Sequence, residues 1–303
     1  MNNFVILIPS YNDWDSLNVL IPKIHNVIKD LNKNISIIII NDSSTIKKRL
    51  IFKDKLCFNK IEILNLLENV KAQKAVATTL YYLKKKNYNG GIIIMDADGQ
   101  DDPAKLPEII AHAEKNPKMI LTVNRLQRED SLLFKLLYEM HLLMVYIFTF
   151  KNLRFGVYSY MHATHLNKIL SNNDLCNAFA GSIARNFENK NIIYADRKKR
   201  LLGKSQNSYL NLVYYSLSIL SVFRYRVLIH SFILLLILFL LSNIKIFSLF
   251  VLTGFVVLSI FNLSIFLISF RNNKFNLNNS LNNIGNIENF THGPSHIQAS
   301  HRK

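Results

Sequence analysis

The chain is predicted to be an α/β protein built on a mostly parallel sheet with helices on both faces, followed by interfacial helices and two C-terminal transmembrane helices. Three observations predict this. Short, almost wholly apolar runs alternate with segments of helical apolar spacing in the first hundred residues, the pattern of parallel strands buried on both faces. Those runs stop at Pro9, at Asp42 and at Asp96, so polar residues collect at the C-terminal strand ends, where ligands of such sheets bind. The last third of the chain then concentrates long apolar stretches, which suit lipid better than a soluble core.

The elements follow in order. Phe4–Ile8 is a buried strand closed by Pro9. Leu17, Leu20, Ile21, Ile24, Val27, Ile28 and Leu31 recur at helical spacing. Ile35–Ile40 is a second strand, ending in the turn-forming Asn41-Asp42-Ser43-Ser44. Ile61–Leu66 forms a third strand, Ala72–Lys86 a helix, and Gly90-Gly91 leads into a strand over Ile92–Met95. Beyond about residue 130 the pattern changes. Leu132–Phe150 is strongly apolar but carries Lys135, Glu139 and His141, so an amphipathic or re-entrant helix competes with a span. The basic run Arg197-Lys198-Lys199-Arg200 precedes Tyr209–Phe223, whose mixture of aromatic, aliphatic and polar residues suits a helix lying at an interface.

Val227–Ser242 and Ile246–Phe270 are the expected spans, joined through Asn243-Ile244-Lys245. The second is long enough to cross the hydrocarbon core; the first is short and relies on its Tyr225 and Arg226 flank. Arg224 and Arg226 before the pair, with Arg271 and Lys274 after it, place both ends in the cytosol. The predicted organisation is therefore an α/β domain over 1–205, a juxtamembrane helix over 206–226, two spans over 227–271 and an Asn-rich, unstructured tail over 272–303. With no secretory signal at the N-terminus, the chain is expected to be an integral membrane protein whose N-terminal domain is cytosolic.

With 37 Lys and Arg against 20 Asp and Glu, the formal charge is +17, which calls for an anionic partner. Much of that positive charge lies beside the membrane segments, and no basic-aromatic groove is evident, so no nucleic acid is expected. Cys57 and Cys176 lack metal-ligand spacing and predict neither a disulfide scaffold nor a zinc site.

Against this background the segment Ile92-Ile93-Ile94-Met95-Asp96-Ala97-Asp98-Gly99-Gln100-Asp101-Asp102-Pro103 stands out. Four carboxylates fall within seven residues at a strand end, and they repel one another unless a cation neutralises them. Asp96 and Asp98 share one face of an extended segment. A hard divalent ion, Mg²⁺ or Mn²⁺, takes such oxygen ligands and bridges them to a phosphate. Taken alone, the motif fits an acidic turn as well.

Together with three other segments it resembles the inverting glycosyltransferases of family 2, which have the Rossmann-like GT-A fold, and among them the polyprenyl-phosphate glycosyltransferases such as dolichyl-phosphate mannose synthases. Those segments are Ile8-Pro9-Ser10-Tyr11-Asn12-Asp13, Asn41-Asp42-Ser43-Ser44 and Asn69-Val70-Lys71-Ala72-Gln73-Lys74-Ala75. They keep the family's order and spacing over residues 4–110. The resemblance implies a nucleotide-sugar donor bound by Pro9, Tyr11, Asp13, Asp42, Lys74 and Asp96. It implies an ion held by Asp98 and Asp96, with Asp98, Asp101 and Asp102 as the catalytic set. Arg125, Arg128, Arg197 and Lys204, in weaker matches further on, are the expected phosphate clamps, with Arg200 as an alternative. A polyprenyl phosphate or another membrane-linked acceptor, and membrane lipids, complete the expected partners; a homo-oligomer is left open.

The sequence also departs from the family pattern: Asp13 replaces Glu, Asn41 replaces Asp, Ser44 and Lys71 stand without the usual glycines, Asp102 replaces Pro and Gln206 replaces Lys. Two other readings stand beside this one, the first favoured by these departures. One is a family 2 enzyme with a saccharide or lipid-linked saccharide acceptor in envelope polysaccharide assembly. The other is a membrane-docked nucleotide-sugar-binding protein without activity.

Overall fold

In a computed structural model, the described residues are 2–46, 50–52, 55–128, 132–171, 173–202, 209–241, 248–271 and 277–290. The strands are β1 (Asn3–Ser10), β2 (Asn34–Asn41), β3 (Lys60–Leu66), β4 (Gly91–Ile94), β5 (Ile120–Arg128), β6 (Phe155–His162), β7 (Lys190–Arg197) and β8 (Ile284–Phe290). The longer helices of the N-terminal part are α1 (Trp14–Ile28), α2 (Ala72–Lys85), α3 (Leu106–Lys115) and α4 (Leu132–Thr149). The short helices α5 (Leu166–Ile169) and α6 (Asp174–Asn177) precede α7 (Phe179–Asn186). Then come α8 (Tyr209–Val222), α9 (Arg224–Leu241), α10 (Ser248–Phe270) and α11 (Leu277–Ser280).

The strands form one eight-stranded sheet in the order β7-β5-β6-β4-β1-β2-β3-β8. β3, β2, β1 and β4 run parallel to one another, and β5 pairs parallel to β7, whereas β6 and β8 are antiparallel to their neighbours. Alternation of side chains divides the core in two. Val5, Leu7, Ile38, Ile40, Ile92 and Ile94 pack on the α2 side, and Ile6, Ile8, Ile37, Ile39 and Ile93 on the α1 and α3 side. This double burial explains why the inner parts of β1, β2 and β4 are so apolar. Because β1 is parallel to both of its neighbours, the C-terminal ends of β2, β1 and β4 lie side by side at one rim, where the chain switches from adding strands beyond β2 to adding them beyond β4.

In the C-terminal region the structure differs from the sequence expectation in two ways. Only α10, over Val251–Phe270 with a mean hydropathy of 2.4, is by itself long and apolar enough to cross a membrane among the described residues. The first expected span, over 227–242, is not confirmed, because α9 meets that criterion only jointly with α8, and the two helices meet at 95°. Arg224, Arg226 and His230 polarise the first turns of α9, which shortens its apolar length. The other difference lies in the tail, expected to lack structure, which carries α11 and β8 over part of its length. β8 lies antiparallel along β3, pairing Ile61 with Phe290 and Ile63 with Glu288, and Phe290 packs edge-on against Phe52 at 5.3 Å. It thereby covers an otherwise open sheet edge.

The helices beyond residue 208 are tied to the sheet domain at both ends. Arg224 at the start of α9 lies 3.7 Å from buried Asp174, which also pairs with Arg185. After α10, Arg271 donates to the Asn177 carbonyl at 3.0 Å and side chain at 3.1 Å. The α9–α10 unit thus leaves and rejoins the domain on the same side. Along α4, Leu142, Val145 and Phe148 are buried, while Leu132, Leu136, Met140, Leu143 and Ile147 are exposed, an apolar outer face unusual for a water-facing helix.

Candidate active site

The acidic loop begins where β4 ends, and its shape is set by its own carboxylates. Asp101 is buried and accepts the Asp96 backbone N–H at 2.9 Å. Asp98 Oδ1 accepts the Gln100 N–H at 3.0 Å. Asp102 Oδ1 caps the turn over Pro103–Lys105 by accepting the Ala104 N–H at 3.0 Å, and the Tyr158 hydroxyl donates to the Asp102 carbonyl at 3.0 Å. Gly99 sits at φ +74°, and a Cβ there would overlap the Leu201 side chain, so this position needs glycine on two grounds.

A strap formed by the end of β7 and the residues after it lies over this loop. Lys198 N–H donates to the Gln100 carbonyl at 3.0 Å and Leu201 N–H to the Asp98 carbonyl at 2.9 Å. Arg197 donates to Gln100 Oε1 at 2.6 Å, and Lys198 Nζ lies 3.7 Å from Asp102. Arg200 joins two carboxylates: one guanidinium nitrogen pairs with Asp13 and another lies 3.2 Å from Asp98 Oδ2. Carboxylates from the ends of β1 and β4 therefore converge on a single cation.

The arginines behind that pair only partly offset the burial of its carboxylates. Burial, reinforced by the Asp101 and Asp98 charges, pushes the Asp96 carboxyl up to about 7, against the opposing pull of Arg197 and Arg125. Burial also raises Asp101, against Arg125, the Asp96 N–H and Arg197. For Asp13, burial outweighs Arg200 and the net direction is upward. A site that leaves its carboxylates this poorly compensated is suited to receiving further positive charge.

Asp42 stands next along the rim. Its N–H donates to the Ser10 carbonyl at 2.9 Å, and its two carboxylate oxygens accept the N–H groups of Val70 and Lys71 at 2.8 and 2.9 Å. Its pKa is raised by burial, which these two bonds oppose. Lys71, where the family pattern has glycine, adopts φ 71°, ψ 155°, a region other residues occupy only when their surroundings hold them. The Asp42 carboxylate is that restraint. Ser43 and Asn12 also have positive φ, and Asn12 Oδ1 accepts the Thr45 N–H at 2.9 Å, linking the β1 and β2 loops.

The remaining sequence-predicted residues divide into three groups. Pro9 is buried in β1 opposite Ile40 and Tyr11 is half-buried just beyond that strand. Arg125 and Arg197 both act on Asp96 and Asp101. Lys74 lies on α2, where its charge acts on Cys176. Arg128 is described for its backbone alone, paired with Arg197, and Lys204 lies outside the described residues. The strap contacts of Lys198 and Leu201 were not legible, since a basic run reads equally as a solvated face. Tyr215 of α8 and Tyr138 of α4 were also missed. Tyr215 lies within electrostatic reach of Arg125, Asp96, Tyr138 and Arg197, which brings both outer helices to the margin of the site.

A divalent ion fits this donor set on chemical grounds. No group of three or more His, Cys, Asp and Glu side chains forms a closed metal cage among the described residues. However, Mg²⁺-type ions bound with phosphates need only one or two protein carboxylates, and Asp98 already holds a cationic group at its outer oxygen.

Comparison with known proteins agrees with this picture. The glycosyl transferase family 2 signature matches residues 5–175. An undecaprenyl-phosphate 4-deoxy-4-formamido-L-arabinose transferase from Pectobacterium carotovorum subsp. carotovorum is 25% identical over 215 residues, covering 70% of this chain and 65% of that protein. A protein of the same name from Yersinia enterocolitica is 26% identical over 224 residues, covering 69% and 63% respectively. The match thus spans slightly less than two thirds of these relatives' length. Among solved structures, one described as a mycobacterial protein superposes with a TM-score of 0.50 at 11% identity, covering 74% of each chain, a likeness of fold alone.

Proposed function

The chain belongs to glycosyl transferase family 2, with the GT-A arrangement of its sheet, and from that premise we propose that it transfers a sugar from a nucleotide-sugar donor to a polyprenyl phosphate at the cytosolic membrane face. The observation that carries this reading is the convergence of Asp13 and Asp98 on the Arg200 guanidinium, with Arg125 and Arg197 acting on the carboxylates behind them. One rim thereby offers a place for a cation and a place for phosphate.

The donor's diphosphate lies over the acidic loop, its nucleoside towards Asp42, Asp96 and Tyr11 on a floor shaped by Pro9. Asp98, with Asp96 beside it, would hold Mg²⁺ or Mn²⁺, whose role is to stabilise the charge gathering on the departing nucleoside diphosphate. Arg200 has to leave Asp98 for that, and its guanidinium is then free to pair with donor or acceptor phosphate. An oxygen of the acceptor phosphate attacks the anomeric carbon from the face opposite the leaving group. The carbon–oxygen bond to the diphosphate breaks, and configuration inverts. The acceptor is already ionised near neutral pH, so no general base is needed and positioning by Arg125 and Arg197 suffices. This agrees with the commitments of Asp101 and Asp102 to the loop; in this reading both position the reacting groups. The apolar outer faces of α4 and α10 support attachment to a bilayer.

The test uses purified protein with labelled nucleotide sugars, Mn²⁺ and undecaprenyl phosphate. A lipid-extractable sugar phosphate is expected, lost in Asp98→Asn while that variant still fractionates with membranes. Transfer to saccharide acceptors alone would refute the lipid-phosphate acceptor, and donor binding without any turnover would refute catalysis.

A further inference from the structure

We infer that the junction between the end of α4 and the first two turns of α9 binds the headgroup of an anionic phospholipid. A recess of about 270 Å³ opens there, lined by Thr149, Phe150, Lys151, Arg226, Ile229 and His230. None of the acidic-loop, strap or Arg125 side chains lines it, so it is separate from the reacting centre.

The charges in the recess are arranged for an anion. Nearby Arg154 is paired with Glu139 at 3.0 Å, and Arg224 with Asp174 at 3.7 Å. Lys151 and Arg226 have no carboxylate partner among the described residues, although Arg226 lies over the Phe223 ring at 6.0 Å. Two cations therefore face one small space with no internal counter-charge. His230 Nδ1 lies 2.7 Å from the Phe148 carbonyl, so that nitrogen carries the hydrogen and the ring is fixed in orientation. Phe150 stands edge-on to the same ring at 4.7 Å, with φ 53° and its side chain exposed. An exposed aromatic in a strained backbone beside two cations is out of place in water and natural at the headgroup level of a bilayer.

The flanking surface identifies the occupant. Leu143 and Ile147 of α4 and Leu228, Ile229 and Phe232 of α9 are exposed apolar side chains on either side. A free phosphate would satisfy Lys151 and Arg226 and leave these faces wet. A phospholipid satisfies both, its phosphate on the cations and its acyl chains along the helices. Such a lipid would fix α4 against α9 at the interface and so hold the site's margin at a constant depth. The inference rests on the membrane attachment proposed above.

The experiment is native mass spectrometry of the full chain, delipidated in detergent and titrated with phosphatidylglycerol, phosphatidylcholine or undecaprenyl phosphate. Wild type should bind one phosphatidylglycerol about tenfold or more tightly than the double variant Lys151→Gln/Arg226→Gln, while Lys168→Gln behaves as wild type. Phosphatidylglycerol should also raise the melting temperature of wild type more than phosphatidylcholine does, a result independent of how the double variant folds. Equal phosphatidylglycerol binding by wild type and a folded double variant overturns the inference. So does equal stabilisation by the two phospholipids, displacement by millimolar inorganic phosphate, or a double variant that loses undecaprenyl phosphate alone. Alkaline extraction separates the two failures. Wild type released from membranes refutes the attachment itself, whereas wild type retained without lipid preference refutes only this site.

Discussion

Replacing Arg200 by Ala should weaken the protein and, at the same time, make its stability respond to divalent ions. The Arg200 side chain is 21% exposed, and its partners Asp13 and Asp98 are 19% and 13% exposed. The cluster lies between a surface pair, worth at most about 1 kcal/mol, and a fully buried one, whose breakage costs roughly 3–5 kcal/mol. Removing the guanidinium leaves two carboxylates facing each other, and Asp13 is already raised by burial and by Asp98. A loss of about 2–3 kcal/mol follows, or roughly 4–10 °C in melting temperature for a domain of this size. With the guanidinium gone, Mn²⁺ meets no competitor at Asp98, so millimolar Mn²⁺ should recover much of that loss in Arg200→Ala and add less to wild type. The assay is thermal unfolding in detergent with and without Mn²⁺, followed for both proteins. A variant that melts within a degree of wild type, or that gains no more from Mn²⁺ than wild type does, would refute the view that Arg200 stands in a cation site.

Lys71→Gly should raise stability by about 1 kcal/mol, because relief of the positive-φ conformation outweighs the entropy that glycine adds to the unfolded chain; urea unfolding measures it, and a loss would mean the Lys71 side chain has contacts that compensate. Asp174→Ala should cost roughly 2–3 kcal/mol by leaving Arg185 and Arg224 without their shared carboxylate, and should expose the α8–α9 bend to trypsin at Arg224 and Arg226. Gly99→Ala should dislodge Leu201 from the acidic loop and lower donor affinity about tenfold or more, read by donor titration, with the sheet unchanged by circular dichroism. Burial lifts the Cys176 thiol to about 12, so at pH 8 iodoacetamide should modify exposed Cys57 and leave Cys176 unmodified until the protein is denatured. Rapid native labelling of Cys176 would show that α6 opens.

The central sheet was legible because burial on both faces leaves a strand no choice but to be apolar, and Phe4–Ile8, Ile35–Ile40, Ile61–Leu66 and Ile92–Met95 all carry that mark. β6 and β7 were not foreseen. Their sequences, FGVYSYMH and KNIIYADR, mix polar and aromatic residues; in buried β6 these are tolerated because Ser159 donates to the Val157 carbonyl and the Tyr160 hydroxyl to the Pro117 carbonyl. β8 was hidden further still: its Asn-rich sequence has low strand propensity, and it is ordered by its pairing to β3 and by packing of Ile284, Ile287 and Phe290 against the core.

The nature of the charge at the rim is already written in the order of residues along the chain. Asp13, Asp42, Asp96 and Asp98 follow the ends of apolar runs, and any parallel sheet built from those runs must collect them on one side. What meets that charge depends on how the chain folds back on itself. Arg200 lies 102 residues from Asp98 and 187 from Asp13, and no local pattern encodes a pairing across such a separation. It arises because β7 delivers the strap to the rim on which β1 and β4 end, and an unpaired half-buried carboxylate costs enough free energy to draw in the nearest guanidinium.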